Sequence, residues 1–149
     1  MHEKLEKMIV GVDLGGSKIN VILSDSSGNI EARDLRDTLA HEGPDAVIKR
    51  IIDSIKQVAS RVEISKIAGI GIGAAGACEV ATGVITLSPN LPGWHDIPLK
   101  DLIQREFNLP IYVENDATVA ALGEHNFGGG VGIANLIYVS VGTGIGGGI

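Results

Sequence analysis

Met8-Ile-Val-Gly-Val-Asp-Leu-Gly-Gly-Ser-Lys-Ile-Asn-Val-Ile-Leu-Ser24 is the stretch whose reading decides the fold. Two apolar runs, Met8 to Val12 and Ile19 to Leu23, flank Asp13 and a Gly15-Gly16 turn, the pattern of a strand, a tight turn and a second strand. Outward from it, Ser26-Ser27-Gly28-Asn29 is a further turn, and residues 30–39 supply a third, more polar strand at the sheet edge. The chain therefore opens as a β-meander. After Gly43-Pro44, the residues Val47, Ile48, Ile51, Ile52, Ile55, Val58, Ala59 and Val62 recur at helical spacing, with Pro44 suited to a first helical position. Ile67 to Gly73 reads as a buried strand, Gly83 to Leu87 as a shorter one, and residues 98–107 as a short helix. Ile111 to Val113 is the next strand, and Ala117 to Asn126 a helix stopped by Gly128-Gly129-Gly130. Asn135 to Val141 is a last full strand before the glycine turn 142–147, and Gly148-Ile149 begins another. A meander followed by alternating strands and helices is an α/β pattern with a mixed sheet and flanking helices.

Composition narrows the function classes. A length of 149 residues fits one compact core or a little more. With 44% hydrophobic but 3% aromatic residues, that core is built from Ile, Val, Leu and Ala. Eighteen acidic against twelve basic residues give a net charge of -6 without a Lys/Arg cluster, which argues against a nucleic-acid partner. The single cysteine, Cys78, excludes an internal disulfide, and His2, His41, His95 and His125 are too scattered for a zinc site. The charged start, Met1 to Met8, lacks a signal-peptide core, and no apolar run is long enough to span a bilayer. A cytoplasmic protein without a membrane partner is expected.

Three glycine loops follow strands, where backbone N–H groups can approach a phosphate. The first nearly matches a P-loop, but Ser17-Lys18 stands where Lys then Ser/Thr is required, and a strand rather than a helix follows. Asp13, at the end of its strand, is placed either to hold Mg²⁺ or to cap the turn. The second, Gly71-Ile-Gly-Ala-Ala-Gly76, has the spacing of a dinucleotide fingerprint. No helical period runs from Ala77 to Thr86, so no helix N-terminus would face a pyrophosphate. A backbone wall of a ligand cleft, or close strand packing, fits better. The third, Val141-Gly-Thr-Gly-Ile-Gly-Gly-Gly148, again lacks a following helix, and cradles nucleotide phosphates or is a plain flexible turn.

Asn115-Asp116 lies at the carboxyl end of a strand and the start of a helix. Ligands bind there in open α/β sheets, and helix N-caps also favour Asn and Asp. Asn90, between Pro89 and Leu91-Pro92, offers an amide on a stiffened loop, a chemistry matched to sugar hydroxyls as well as to an ordinary loop. Trp94 is expected to plug the core beneath that loop.

Taken together, Asp13-Leu-Gly-Gly-Ser-Lys18, Ser88-Pro-Asn-Leu-Pro-Gly-Trp94, Glu114-Asn-Asp-Ala117 with Ala120-Ala-Leu-Gly-Glu124, and Gly142-Thr-Gly-Ile-Gly-Gly-Gly148 resemble the ROK family of repressors, open reading frames and kinases, and look most like its glucokinases. The resemblance runs from about Met8 to Ile149, and four motifs in the family's order are far more specific than one. It implies an actin-like (ribonuclease H-like) ATPase domain in residues 1–132, with 133–149 as the opening strand and phosphate loop of a second, C-terminal domain. It implies an ATP-dependent hexose kinase in which Asp116 is the general base, and Asn90, Asn115, Asp116 and Gly76 bind a hexose or N-acetylhexosamine. Gly15, Gly16, Ser17 and Lys18, with Thr143, Gly144 and Gly146, would bind ATP, and Asp13 would lie near Mg²⁺. A homodimer is the expected assembly. Ala75 stands where the family usually has Pro. The chain stops in the second phosphate loop, which would place the adenosine-binding segment, further sugar ligands and the family's zinc cluster beyond Ile149 and leave this chain inactive alone. Residues 135–149 are then expected to be half a sheet whose apolar edge pairs with a neighbouring sheet or another chain. The alternatives are a non-catalytic sugar-binding or regulatory protein of the same family, disfavoured as a repressor by the seven residues before Met8, and a dinucleotide-binding domain.

Overall fold

Alternating burial sets the first strands of the computed structural model, which describes residues 7–141 and 145–149. In β1 (Met8–Leu14) the side chains of Met8, Val10, Val12 and Leu14 are buried, while Ile9 and Asp13 face the other way. β2 (Lys18–Ser24) runs antiparallel to β1 and buries Ile19, Val21 and Leu23 on the same face. β3 (Ile30–Asp37) completes the meander. It ends before the expected Leu39, because Leu39 adopts a left-handed φ of 49° and turns the chain into a single 3₁₀ turn, Ala40–Glu42.

Helix α1 (Pro44–Ala59) starts at its proline and buries Val47, Ile51, Ile55 and Val58, a stripe at helical spacing laid across the meander. β4 (Ile67–Ala74) then returns parallel to β1. Three short strands, β5 (Ala77–Glu79), β6 (Val84–Leu87) and β7 (His95–Ile97), form a small antiparallel sheet. Helix α2 (Leu99–Phe107) buries Leu99 and Ile103, and β8 (Ile111–Asn115) adds to the main sheet parallel to β4. The order is β3-β2-β1-β4-β8, a mixed sheet with an antiparallel half and a parallel half.

Helix α3 (Asp116–Phe127) has no apolar stripe and buries Ala117 and Ala121. Missing Cβ atoms bring it close to its neighbours. A Cβ on Gly73 would lie 3.4 Å from that of Val119, and one on Gly148 would lie 2.7 Å from that of Ala121. β9 (Tyr138–Val141) and β10 (Ile145–Gly148) pair as an antiparallel hairpin on α3. The two strands form a sheet of their own, and among the described residues no further strand pairs with its edges. The hairpin's outer face exposes Val139, Val141 and Ile145. The short strands β5 and β7 were not foreseen, and β5 stands directly after Gly76, where a dinucleotide fold requires a helix. Among the described residues, no helix is long and apolar enough to cross a membrane.

Candidate functional site

The parallel register brings three strand ends flush, since Leu14 pairs with Ala74 and Ala74 with Asn115. The loops that follow therefore emerge at one edge of the sheet, the carboxyl edge at which open α/β sheets bind ligands.

Asp13 and Asp116 meet there. Both line a pocket of about 310 Å³ with Gly73, Ala117, Tyr138 and Ser140. The Asp13 side chain reaches solvent, yet partial burial, and after it the negative charge of Asp116, push its carboxyl above the ordinary carboxylate value. No cation pairs with either carboxylate among the described residues. Two neighbouring carboxylates without a counter-charge fit a divalent cation chemically. Among the described residues, however, no group of three or more His, Cys, Asp or Glu side chains converges on one point. Asp13 is the candidate protein ligand for such a cation.

The first loop turns tightly, the Gly15 N–H donating to the Lys18 carbonyl at 2.9 Å. Neither the Gly16 nor the Ser17 N–H has an acceptor among the described residues, so both are open to an anion. Lys18 points along the sheet edge into an exposed ion pair with Asp37. Gly16 packs on the Asn90 loop, where an added Cβ would lie 2.8 Å from the Asn90 carbonyl oxygen. The candidate phosphate loop and sugar loop therefore touch.

Asn90 is exposed on a loop fixed from below. Leu91 and Trp94 are both 1% exposed, as expected for a core plug, and the Trp94 Nε1 finds no acceptor among the described residues. The Ser88 N–H donates to the Trp94 carbonyl at 3.1 Å, and the Ser88 hydroxyl donates to the Ala75 carbonyl at 2.5 Å. That last bond ties the Asn90 loop to the β4 end. Gly76, at φ 124°, sits where a Cβ would be 2.5 Å from the Leu87 carbonyl oxygen, so only glycine fits.

Asn115 is the cap of α3. Its Oδ1 accepts from the Ala117 and Thr118 N–H groups at 3.0 and 3.2 Å, and its Nδ2 donates to the Gly76 carbonyl at 2.9 Å. One Nδ2 hydrogen is left for a ligand. With the cap role filled by Asn115, Asp116 occupies the first helical position, its Oδ1 accepting from the Ala117 N–H at 2.8 Å. Glu114 accepts from the Asn115 N–H at 2.7 Å. Burial, and after it Glu114, raise the Cys78 thiol above its usual range, which makes it a poor nucleophile.

Gly146 faces α3 beside the site, where a Cβ would meet that of Ala117 at 3.0 Å. Thr143 and Gly144 lie outside the described residues. A larger cavity of about 800 Å³ opens between the sheet and α3, lined mainly by aliphatic side chains such as Ile9, Ile22, Val119 and Leu122. It reaches Asp13, and Asn20, Glu114, Thr118 and His125 are its other polar lining residues besides Tyr112. Sequence reasoning missed two residues that hold the site from behind. Ser88 is one, and Thr38, fully buried at the end of β3, is the other. The Thr38 hydroxyl donates to the Gly15 carbonyl at 2.7 Å and its N–H to the Ser17 carbonyl at 2.8 Å.

Residues 9–149 match the ROK family over nearly the whole chain. The chain belongs to the ROK family. It shares that family's actin-like ATPase fold. A ROK glucokinase from Streptomyces griseus in complex with glucose and AMPPNP superposes with a TM-score of 0.86 at 33% identity, over 94% of this chain and 43% of that one. A ROK hexokinase from Thermus thermophilus superposes with a TM-score of 0.82 at 32% identity, over 94% and 45%. Among curated ROK relatives, the glucokinase of Thermotoga maritima is 38% identical over 141 residues, covering 95% of this chain and 44% of that protein. The xylose repressor of Caldicellulosiruptor bescii is 39% identical over 143 residues, covering 95% and 36%. The chain thus spans less than half the length of these relatives.

Proposed function

We propose that this chain forms one wall of an ATP-dependent hexose kinase of glucokinase type. The placement of Asp13 and Asp116 on one pocket, at the edge where the Gly15–Lys18 and Asn90 loops touch, carries the proposal. The likeness to a glucokinase holding glucose and AMPPNP supports it.

In the proposed reaction, a sugar hydroxyl held by Asn90 and by the free Nδ2 hydrogen of Asn115 gives its proton to Asp116. The hydroxyl oxygen then bonds to the γ-phosphorus while the bond from that phosphorus to the ADP oxygen breaks. Gly76 keeps the sugar side in place by anchoring Asn115. Gly16 and Ser17 direct their free N–H groups at phosphate oxygens, with Lys18 at the rim, and Thr143, Gly144 and Gly146 belong to the opposing phosphate loop. Mg²⁺, held at Asp13 when bound, supplies positive charge against the phosphates. Residues 133–149 open a second domain that closes over the nucleotide, and the exposed Val139, Val141 and Ile145 of the hairpin are the surface it covers. Because the chain spans part of its relatives, turnover belongs to the gene product that carries it, a cytoplasmic homodimer in this proposal.

The test is ADP release by that gene product with ATP, Mg²⁺ and a panel of hexoses and N-acetylhexosamines. Turnover with glucose supports a glucokinase. Binding of sugar without ADP release supports a second reading, a sugar-responsive regulator, which the similarity to xylose repressors favours.

A further inference from the structure

We infer that Thr38 is a positioning residue for the nucleotide phosphates, an inference that rests on the proposed role of the Gly15–Lys18 loop. Thr38 is 0% exposed, and its polar groups are bonded to the loop and to α1. Its hydroxyl and its N–H hold the Gly15 and Ser17 carbonyls at 2.7 and 2.8 Å. Its own carbonyl accepts from Arg50 Nη1 at 3.0 Å, and the other arm of that guanidinium is paired with Glu42. The brace therefore runs from α1 through Thr38 into the loop.

The direction of these bonds matters more than their number. A trans peptide points its C=O and N–H to opposite sides. The bond from Thr38 turns the Gly15 carbonyl inward, so the N–H of the same peptide, that of Gly16, is turned outward, and it has no acceptor among the described residues. At its Cα, Gly16 abuts the Asn90 loop, where an added Cβ would lie 2.8 Å from the Asn90 carbonyl oxygen. Held between Thr38 and Asn90, the loop keeps an N–H aimed at an anion before any anion arrives, which lowers the ordering cost of binding. A plain packing role for Thr38 would need its volume and not its hydroxyl.

Thr38→Val keeps the volume and removes the donor, leaving the Gly15 carbonyl unpaired. In the gene product carrying this chain, kcat/KM for ATP is expected to fall about tenfold, the worth of one hydrogen bond lost from a buried acceptor. The KM for the sugar should stay within about twofold, and Thr38→Ser should restore most of the loss. Unchanged ATP kinetics in Thr38→Val, or equal defects in Thr38→Val and Thr38→Ser, would overturn the inference. If Thr38→Val does not fold, Thr38→Cys, of similar size with a weak donor, is expected to show an intermediate loss, and no loss counts against the role. A wild-type protein that transfers no phosphate from ATP refutes the proposed function instead. In that event ¹⁵N order parameters of residues 15–18 test the brace alone. They should drop in Thr38→Val from the rigid range near 0.85, and equal values would overturn it.

Discussion

Gly76→Ala should damage this protein far more than Gly71→Ala, although both glycines belong to the same Gly-x-Gly-x-x-Gly run. At Gly76 the backbone has φ 124°, and a Cβ would lie 2.5 Å from the Leu87 carbonyl oxygen, 2.8 Å from Ser88 Cα and 2.9 Å from Ser88 Cβ. None of these atoms can rotate away, because Ser88 is held through its hydroxyl by Ala75 and through its N–H by Trp94. Strain at such a φ costs roughly 1–3 kcal/mol. Overpacking against fixed atoms adds about 1–3 kcal/mol. The sum is roughly 2–6 kcal/mol, and at about 2–4 °C per kcal/mol for a chain of this size it lowers Tm by at least about 4 °C. Gly71 has nothing within 4 Å of its Cβ position and no positive φ, so Gly71→Ala should stay within about 0.5 kcal/mol of wild type. Gly73 is intermediate, its Cβ position 3.4 Å from Val119. Thermal unfolding of the three variants by circular dichroism decides the matter. Equal Tm values for Gly71→Ala and Gly76→Ala would refute the reasoning, because the two sites would then differ only on paper.

Two further outcomes follow from the site. Asp13 has a folded-state pKa above its ordinary value of 3.8, so its ionisation opposes folding, and stability is lost as pH rises through the raised pKa. Asp13→Asn should therefore raise Tm at pH 7 while abolishing Mg²⁺-dependent turnover, with the Tm difference vanishing below pH 3.8; a Tm gap unchanged at low pH would count against this. Asn115→Ala removes the α3 cap and the tie to Gly76, and should cost about 1–2 kcal/mol in denaturant unfolding, whereas a loss under about 0.3 kcal/mol would show the cap to be idle.

The meander and the parallel crossovers were legible because their signals are periodic. Buried aliphatics alternate in β1 and β2 and recur at helical spacing in α1. The β5-β6-β7 sheet was only partly legible, since strands of three residues such as Ala77–Glu79 and His95–Ile97 are too short to show an alternation. Helix α3 carries no stripe and was found from its ends, Asn115-Asp116 and Gly128. Within the site, Asp13 and Asp116 were legible because each lies at the carboxyl end of an apolar run, Asp13 next to last in β1 and Asp116 directly after β8. Which of Asn115 and Asp116 caps the helix was not, because both residue types serve and geometry alone separates them. Thr38 gave no signal at all. It follows the polar strand β3, and its burial arises from contact with a loop twenty-odd residues earlier. The meeting of Gly16 with Asn90 is likewise tertiary, set by the flush ends of β1 and β4.

The most direct test of the central claim is the rate of ADP release with glucose, ATP and Mg²⁺ by the gene product carrying this chain, wild type against Asp116→Asn. A general base contributes about 10²–10⁴-fold, so kcat should fall by at least about a hundredfold while the KM for glucose changes little. Equal kcat values in the two proteins would contradict the assignment of Asp116 as the base.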